Sequence, residues 1–468
     1  MTAGSPPPGD LSPEQRLREA EREILARRPE HQIVPTLDRM RDVMGLLGEP
    51  QRAYPVIHIT GTNGKTSTAR MIDSLLRARG LRTGLFTSPH LTSIRERIVI
   101  DGEPVSAERF ADAYEDIAPY VAMVDGRQPM RMSFFEVLTA MAFAAFADAP
   151  VDVAVVEVGM GGTGDATNVA DGAVAVVTPV AIDHTRYLGH TIEEIATEKA
   201  GIIKPGAVAV LAQQQVTAAQ LLMRRAAEVS ATVAREGLEF GVLDRQLAVG
   251  GQRLTLRGLR GSYDDVLLPL FGAYQAGNAA CALAAVEAFG SGDQPLEAGL
   301  VREGFLAATS PGRLEVARRS PVVVLDSAHN PAGMAAAVAG LTEAFDFAEL
   351  IAVVAVSEDK DIPGILGELE PVASQLVVTR NSSGRCMDPA KLAELAAPVF
   401  GPDRVRVTSR LDDAIEVAVA LADEASAGEP GRAGVLVAGS VITAGDARLL
   451  LAPSQETPRD EADGVDLA

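Results

Sequence analysis

A glycine-rich turn that carries a lysine has the clearest chemistry in this chain. Residues 60–66 read Thr-Gly-Thr-Asn-Gly-Lys-Thr and lie between an apolar run, 54–59, and a helix-forming stretch that ends at Gly80. In such a strand–turn–helix unit, backbone N–H groups and the helix N-terminus form a cradle for anions. Lys65 can place its charge on the β- and γ-phosphates of a nucleotide, and the Thr66 hydroxyl can bind Mg²⁺.

The turn departs from the standard phosphate-binding pattern G-x-x-x-x-G-K-[ST]. Ile59 stands where that pattern has its first glycine. The alternative is a glycine-rich turn with a solvated lysine and no ligand. Because the segments on both sides fit the strand and helix of a nucleotide site, nucleotide binding is our interpretation.

Oxygen and nitrogen ligands for a divalent cation follow other predicted strands. The apolar run 153–158 carries one carboxylate, Glu157, just before a glycine turn. Burying that carboxylate unpaired is costly, and a metal ion would offset the cost. His184 and Ser88 each follow a further strand. The alternatives are an exposed strand-end glutamate, a histidine that only forms structural hydrogen bonds, and an ordinary serine.

A parallel sheet is needed to bring these segments together. β-rich runs alternate with helical stretches from residue 54 to 211, which is typical of a mostly parallel sheet covered on both faces. Alternation with Gly-rich turns between about 236 and 270 predicts a small antiparallel sheet. A second βα series starts near Pro321. The predicted fold is α/β: a P-loop parallel-sheet ATPase domain with an antiparallel subsheet, followed by a Rossmann-like α/β domain.

The limits of these units are also predictions. Residues 15–309 and 310–452 form the two domains, and residues 1–14 and 453–468 are expected to be disordered tails. Predicted strands cover 54–59, 82–86, 153–158, 173–177, 207–211, 322–325, 350–356, 375–379, 405–407 and 435–438. Predicted helices cover 11–28, 36–47, 66–79, 135–147, 192–200 and 274–289.

Composition excludes several classes of protein. The 468 residues are 47% hydrophobic and 22% charged, as in globular proteins. A net charge of −21 disfavours binding to nucleic acid and anionic membranes. We see neither a signal segment nor an apolar run of the roughly 20 residues that span a bilayer. Cys281 and Cys386 lack metal-binding spacing. We expect a soluble, cytoplasmic monomer.

Eight motifs, in order, resemble the folylpolyglutamate synthase/dihydrofolate synthase family of the Mur ligase superfamily. They are HITGTNGKTSTA (58–69), TSPHL (87–91), EVGMGG (157–162), DATN (165–168), IDHTRYLG (182–189), EKAGIIK (198–204), PGRLE (311–315) and DSAHNP (326–331), with weaker support from SEDKD (357–361) and VAGSVITAGD (437–446). Together they cover about 50–445. The resemblance makes residues 15–309 an ATP-binding ligase domain.

The resemblance implies which residues bind ATP and the pterin. The phosphate contacts expected from it are Asn63, Gly64, Lys65 and Thr66, and the other nucleotide contacts are Asn278, Arg313 and Asp326, with His329 lining the same cleft. The segment Gly164, Asp165 and Ala166 is expected against the pterin. Two features depart from the family: Thr163 and Gly164 replace an arginine-like and a bulky residue before DATN, and Thr66 stands where many members have glycine.

The resemblance also implies two Mg²⁺ ions. Residues matching Ser88, Glu157 and His184 ligate Mg²⁺ in the family, and a lysine matching Lys199 is often carbamylated, which makes it a carboxylate-like ligand. One ion would bridge the ATP phosphates through Ser88, and Glu157, His184 and modified Lys199 would hold the other. A free amine at Lys199 is the alternative. Lys65, Lys199 and His184 are the expected catalytic residues.

The implied reaction is ATP-dependent addition of L-glutamate to 7,8-dihydropteroate, to reduced folates, or to both, through an acyl phosphate. One rival is a Mur-type ligase for a UDP-linked substrate, which carries an extra domain before the phosphate turn, whereas about 57 residues precede His58 here. The other rival is a P-loop regulatory protein without ligase activity, which would not need the nucleotide contacts of the second domain.

Overall fold

A computed structural model describes residues 11–452, except 30, 31, 33, 35, 291, 293 and 427–431. Residues 1–10 of the predicted N-terminal tail and all of the predicted tail 453–468 lie outside the described residues. Helix α1 begins at Pro13, and Ser12 caps it with a reciprocal hydrogen bond to Gln15, as a Ser-Pro-Glu start favours.

The helices and strands found within the described residues follow in chain order. The helices are α1 (Pro13–Leu25), α2 (Asp38–Leu46), α3 (Lys65–Ala78), α4 (Ala107–Arg127), α5 (Phe134–Asp148), α6 (Thr185–Leu188), α7 (Ile192–Ala200), α8 (Val216–Glu228), α9 (Ala273–Phe289), α10 (Ala298–Leu306), α11 (Pro331–Ala344), α12 (Ile362–Leu369), α13 (Pro389–Phe400), α14 (Leu411–Ala425) and α15 (Val441–Leu451). The strands are β1 (Val56–Thr60), β2 (Thr83–Phe86), β3 (Ile98–Ile100), β4 (Glu103–Pro104), β5 (Val153–Glu157), β6 (Gly172–Val177), β7 (Val208–Leu211), β8 (Thr232–Arg235), β9 (Gly241–Ala248), β10 (Gly251–Arg257), β11 (Ser262–Leu268), β12 (Glu315–Arg319), β13 (Val322–Leu325), β14 (Glu349–Val354), β15 (Gln375–Val378), β16 (Val405–Val407) and β17 (Ala433–Ala438).

The first sheet has the strand order β4-β3-β2-β5-β1-β6-β7-β8. All neighbours are parallel except β2–β3 and β3–β4, which are antiparallel. Side chains of β1 alternate between two cores: Ile57 and Ile59 pack with α3, α9 and α10, whereas Val56 packs with α4 and α5 on the other face. The predicted mostly parallel sheet with both faces covered is confirmed.

Two further sheets complete the fold. Strands β9, β10 and β11 form the predicted small antiparallel sheet, which leads into α9. The other sheet has the order β12-β13-β17-β14-β15-β16 and is parallel except for β12. The predicted second α/β unit is therefore present. The domain limits proposed from the sequence stay a prediction.

Our sequence reading missed four strands. β3 and β4 are only three and two residues long, and β12, with the sequence EVARR, has no buried residue. β4 and β12 are edge strands without the apolar run that marks a central parallel strand, and β3, although apolar, is too short to give a periodic signal. β8 contains one buried residue. Among the helices of the described residues, none has both the length and the apolar character needed to cross a membrane.

Candidate active site

The phosphate turn connects β1 to α3 at the carboxyl end of the first sheet. Gly61 has φ +147° and Gly64 φ +88°, and a Cβ on Gly61 would lie 1.8 Å from the Thr178 hydroxyl oxygen. Both positions therefore need glycine. The Lys65 ammonium donates to the carbonyl oxygens of Gly61 and Thr62, at 3.2 and 3.3 Å. The ammonium therefore lies against its own turn, and its predicted contact with nucleotide phosphates stays a prediction.

Asn278 of α9 contacts the same turn. Its Oδ1 would lie 2.6 Å from a Cβ on Gly64. Its Nδ2 donates to Gln275 Oε1 at 3.0 Å, and Gln275 Nε2 donates to the Ser67 hydroxyl at 3.4 Å. This polar chain fixes the Asn278 amide beside the turn. Our sequence reading missed Gln275, because a glutamine in an Ala-rich helix gives no periodic signal.

Glu157 ends β5 directly beside the turn. The side chain is buried, and the Thr66 hydroxyl donates to its Oε1 and Oε2 at 2.9 and 3.0 Å. The Ser88 backbone N–H donates to Oε2 at 3.3 Å, so the Ser88 hydroxyl remains available to a ligand. Burial raises the pKa of Glu157, whereas the charge of Lys65 lowers it. The carboxylate and hydroxyl predicted to bind metal are brought together.

His184 lies across the turn from Glu157, just before α6. It has φ 52°, in the left-handed region, and its ring is partly buried. Burial lowers its pKa to about 3, although Asp183 raises it. The ring is therefore neutral at physiological pH, which is the form that can bind a metal ion.

Lys199 of α7 lies behind the turn, away from the cleft wall. Its buried ammonium donates to the Gly61 carbonyl oxygen at 2.7 Å. Burial lowers its pKa to about 7, and the charge of Lys65 acts in the same direction. A large share of Lys199 is therefore a neutral amine near pH 7, the form that reacts with CO₂.

The second sheet contributes the opposite wall of the cleft. The buried Asp326 carboxylate accepts the backbone N–H groups of Leu314 and Ala328, at 2.9 and 2.8 Å. Burial raises its pKa and the Arg313 charge lowers it. His329 Nδ1–H donates a hydrogen bond to the Ser327 carbonyl oxygen at 2.9 Å. All three residues expected from the resemblance at this wall are present there.

The segment expected to contact a pterin forms a tight loop after β5. Asp165 accepts the Met160 N–H at 2.9 Å, the Thr167 N–H at 3.0 Å and the Thr167 hydroxyl at 2.6 Å. Burial raises its pKa. The two residues that depart from the family, Thr163 and Gly164, lie at the rim, and the Thr163 hydroxyl donates to the Glu198 carbonyl oxygen at 3.2 Å.

A single cleft of about 1640 Å³ joins these groups. The predicted residues that line it are Asn63, Gly64, Lys65, Thr66, Ser88, Glu157, Gly164, Asp165, Ala166, His184, Asn278, Arg313, Asp326 and His329. Lys199 is not among the lining residues. Residues that our sequence reading missed include Phe135, Tyr274 and Lys360. An aromatic residue or lysine gives no sign in the sequence that it faces a cleft between two sheets.

The residues fit a nucleotide-bound metal ion better than an ion held by the protein alone. Within the described ranges, no group of three or more His, Cys, Asp and Glu side chains is placed to hold a metal ion. Glu157 nevertheless presents a buried carboxylate, whose hydrogen bonds come from the Thr66 hydroxyl and the Ser88 N–H. Phosphate oxygens and the Ser88 hydroxyl would complete the oxygen-rich shell that Mg²⁺ prefers.

Comparison with protein families matches both parts of the chain. Residues 59–286 match the Mur ligase middle domain, and residues 312–441 match the Mur ligase glutamate ligase domain. The dihydrofolate synthase/folylpolyglutamate synthase of Mycobacterium tuberculosis is 52% identical over 455 residues, 93% of each chain. The folylpolyglutamate synthase of Lacticaseibacillus casei is 36% identical over 74% of this chain and 79% of its own.

Solved structures agree with the sequence comparison. The Mycobacterium tuberculosis folylpolyglutamate synthase complexed with ADP superposes with a TM-score of 0.91 at 52% identity, over 94% of this chain and 99% of the other. An FPGS–AMPPCP–folate complex superposes with a TM-score of 0.78 at 31% identity, over 93% of this chain and all of the other. The fold is thus shared with these structures over more than nine-tenths of the chain, and the chain belongs to the dihydrofolate synthase/folylpolyglutamate synthase family of Mur ligases.

Proposed function

We propose that this chain joins L-glutamate to dihydropteroate, to reduced folates, or to both, at the expense of ATP. The single observation that supports this most strongly is the common cleft. It contains the phosphate turn with Lys65 and Thr66 on one wall, and Arg313 and Asp326 on the other. One relative has been solved with ADP and another with AMPPCP and folate, which supports the binding of a nucleotide and a folate by this chain.

The reaction requires an activated carboxylate. The pterin substrate's carboxylate attacks the γ-phosphorus, the bond to the β-phosphate oxygen breaks, and ADP leaves an acyl phosphate behind. The L-glutamate amine then attacks the acyl carbon and loses a proton, and inorganic phosphate departs as the amide forms. Lys65 stabilises the negative charge that develops on the transferring phosphoryl oxygens. Enclosure between the two walls keeps water from the acyl phosphate.

Mg²⁺ is proposed as the accompanying cation. Ser88 would hold one ion with phosphate oxygens of ATP, and Glu157 and His184 would hold a second. When bound, Mg²⁺ offsets phosphate charge and orients the γ-phosphate. Thr66 holds the Glu157 carboxylate in place through its hydroxyl. The positions of these groups around one turn support the assignment.

Carbamylated Lys199 is proposed as the ligand of a second ion. The lowered pKa of its buried amine supports the modification. Carbamylation would turn the cation into a carboxylate-like group and leave one Nζ–H, which could still donate to the Gly61 carbonyl oxygen. The new carboxylate oxygens would be the ligands of the metal ion.

The pterin is proposed to bind between Asp165 and the α5 wall. Phe135 lines the cleft there, and its ring lies 2.6 Å from the position of a Cβ on Gly159. Glycine at residue 159 thus lets the edge of the Phe135 ring approach the loop that contains Asp165 and Ala166. A flat heterocycle with ring N–H donors suits a carboxylate beside an aromatic side chain.

Substrate turnover tests this proposal. Purified protein is incubated with ATP, Mg²⁺, L-glutamate and either dihydropteroate or a reduced folate, and products are read by mass spectrometry. We expect a glutamyl product that disappears in Lys65→Ala. If the chain is instead a regulatory protein, ADP should be released at the same rate with or without L-glutamate and the pterin or folate acceptor. If only dihydropteroate or only the reduced folate gives a product, the chain has only the dihydrofolate synthase or only the folylpolyglutamate synthase activity. A cytoplasmic monomer without nucleic-acid or membrane partners remains our expectation.

A further inference from the structure

Three residues from recognised motifs have no role in the reaction described above. Asp183 follows β6 of the first sheet, and Asn330 and Lys360 follow β13 and β14 of the second. The Lys360 ammonium donates to Asp183 Oδ1 at 2.7 Å, and Asn330 Nδ2 donates to Asp183 Oδ2 at 3.0 Å. His329 Nε2 lies 3.5 Å from the same oxygen. One carboxylate that follows a strand of the first sheet is therefore contacted by three side chains that follow strands of the second.

Asn330 extends this contact to the phosphate turn. Its Nδ2 also donates to Asn63 Oδ1 at 3.1 Å, and Asn63 Nδ2 donates to Asn330 Oδ1 at 3.4 Å. The same Oδ1 accepts the Gly333 N–H at 2.7 Å and so caps α11. The N-terminus of α11 is thereby hydrogen-bonded to Asn63 of the phosphate turn.

Burial makes these contacts strong. The side chains of Asp183 and Lys360 are 7% and 11% exposed. Another ion pair between the two parts, Arg245 with Glu343, is more exposed, at 19% and 32%. Exposed pairs contribute little, whereas the loss of one partner from a buried pair leaves an uncompensated charge. Loss of one partner of Asp183 is therefore expected to disturb the two walls at the turn.

We propose that Asp183, Asn330 and Lys360 are positioning residues that form an interdomain clasp. The clasp sets the closure of the second domain over the phosphate turn, and through Asn63 it fixes that turn against the opposite wall. Because Arg313, Asp326 and the turn must act on one nucleotide, a wall displaced by the loss of the clasp places the γ-phosphate wrongly. The catalytic consequence rests on the proposed function, whereas the closure itself does not.

Lys360 could otherwise act by binding a substrate carboxylate directly. The two explanations differ in what Lys360→Met changes. Loss of a direct contact raises the KM of one substrate and leaves the spacing of the walls unchanged. Loss of a clasp opens the cleft, lowers kcat, and makes Lys360 and Asp183 dependent on each other.

The test combines Lys360→Met, Asp183→Asn, the double variant and Asn330→Ser. Serine keeps the cap of α11 but is too short to reach Asp183, and it leaves the residues around His184 intact. Lys391→Met, an exposed lysine on α13, is the matched control. The radius of gyration is measured by small-angle X-ray scattering with AMPPCP bound, and kcat and KM are measured for each substrate.

We expect Lys360→Met and Asn330→Ser to increase the radius of gyration of the AMPPCP complex and to lower kcat about 100-fold. The double variant should be no worse than Asp183→Asn alone, and Lys391→Met should match the wild type. An unchanged radius with a raised KM for one substrate only, or additive losses in the double variant, overturns the clasp. If the wild type forms no glutamyl product but the variants still have a larger radius of gyration, the proposed function is refuted and the clasp is not.

Discussion

The Thr66 hydroxyl donates to both carboxylate oxygens of Glu157, at 2.9 and 3.0 Å. This contact joins the last residue of the phosphate motif to the acidic end of the neighbouring strand β5. It places a buried negative charge directly beside the position that the turn offers to phosphates. A buried carboxylate so close to an anion site needs a cation between the two.

Replacing that carboxylate should therefore abolish catalysis without unfolding the protein. We expect Glu157→Gln to lower kcat about 100-fold or more, because the metal ion loses its anionic ligand. Burial already raises the pKa of Glu157, so a neutral amide of the same shape should keep the free energy of unfolding within about 1 kcal/mol of the wild type. Steady-state kinetics and urea denaturation measure both effects, with exposed Glu193→Gln as control. Retained kcat would remove Glu157 from the metal site.

Gly64 should not tolerate a methyl group. In Gly64→Ala the Cβ would lie 2.6 Å from Asn278 Oδ1, on a backbone with φ +88°. We expect a loss of about 1–2 kcal/mol in stability and a much weaker affinity for AMPPCP by calorimetry. Gly367→Ala in α12 is the control, since a Cβ at that residue would meet no atom within 4 Å, and alanine there should stabilise the helix. If Gly64→Ala and Gly367→Ala bind AMPPCP with equal affinity, the close contact between residue 64 and Asn278 does not affect nucleotide binding.

His58 should make the protein sensitive to acid. Its fully buried ring contacts the Thr167 hydroxyl oxygen at 2.8 Å, and burial lowers its pKa from 6.5 to about 3. Between these values the unfolded chain binds a proton that the folded chain does not, so stability falls as the pH falls through this window. We expect wild type to lose about 1.4 kcal/mol per pH unit more than His58→Gln there. Urea denaturation across that range gives the two slopes, and parallel curves would show that His58 makes no difference.

Lys199 should take up CO₂. Its pKa of about 7 leaves a substantial neutral fraction at and above neutral pH. We expect a carbamate signal in ¹³C NMR with labelled bicarbonate, growing as the pH rises through 7, and higher ligase activity when bicarbonate is added. Lys199→Arg should lose the signal and the stimulation, whereas Lys391→Arg should keep both. A bicarbonate-independent wild type with no labelled carbamate would leave Lys199 as the amine that donates to the Gly61 carbonyl oxygen.

The sequence was most informative where chemistry and secondary structure are local. The turn 60–66, its strand and its helix could be predicted because glycine positions, apolar runs and helix formers act over a few residues. The antiparallel subsheet could be predicted from alternation alone. The same local signals placed Glu157 and His184 at strand ends, which a parallel sheet then brings to one edge.

Contacts between distant segments were beyond such reasoning. Asp183 meets Lys360 across 177 positions, and their meeting depends on how two sheets dock, not on the residues next to either. Gln275 supports Asn278 from inside an apolar helix, where neither residue type nor spacing signals a role. Lys199 was expected beside the metal site, and only the fold shows that its amine lies behind the turn.

The outer edge of the first sheet affects whether two copies of this chain can pair through their strands. Strand β4 consists of Glu103 and Pro104, both exposed, and it covers the longer strands behind it. A two-residue edge strand that contains a proline has almost no free backbone N–H group, and the neighbouring glutamate repels an approaching strand that carries negative charge. Chains at high concentration therefore find little at this edge with which another sheet could pair edge to edge.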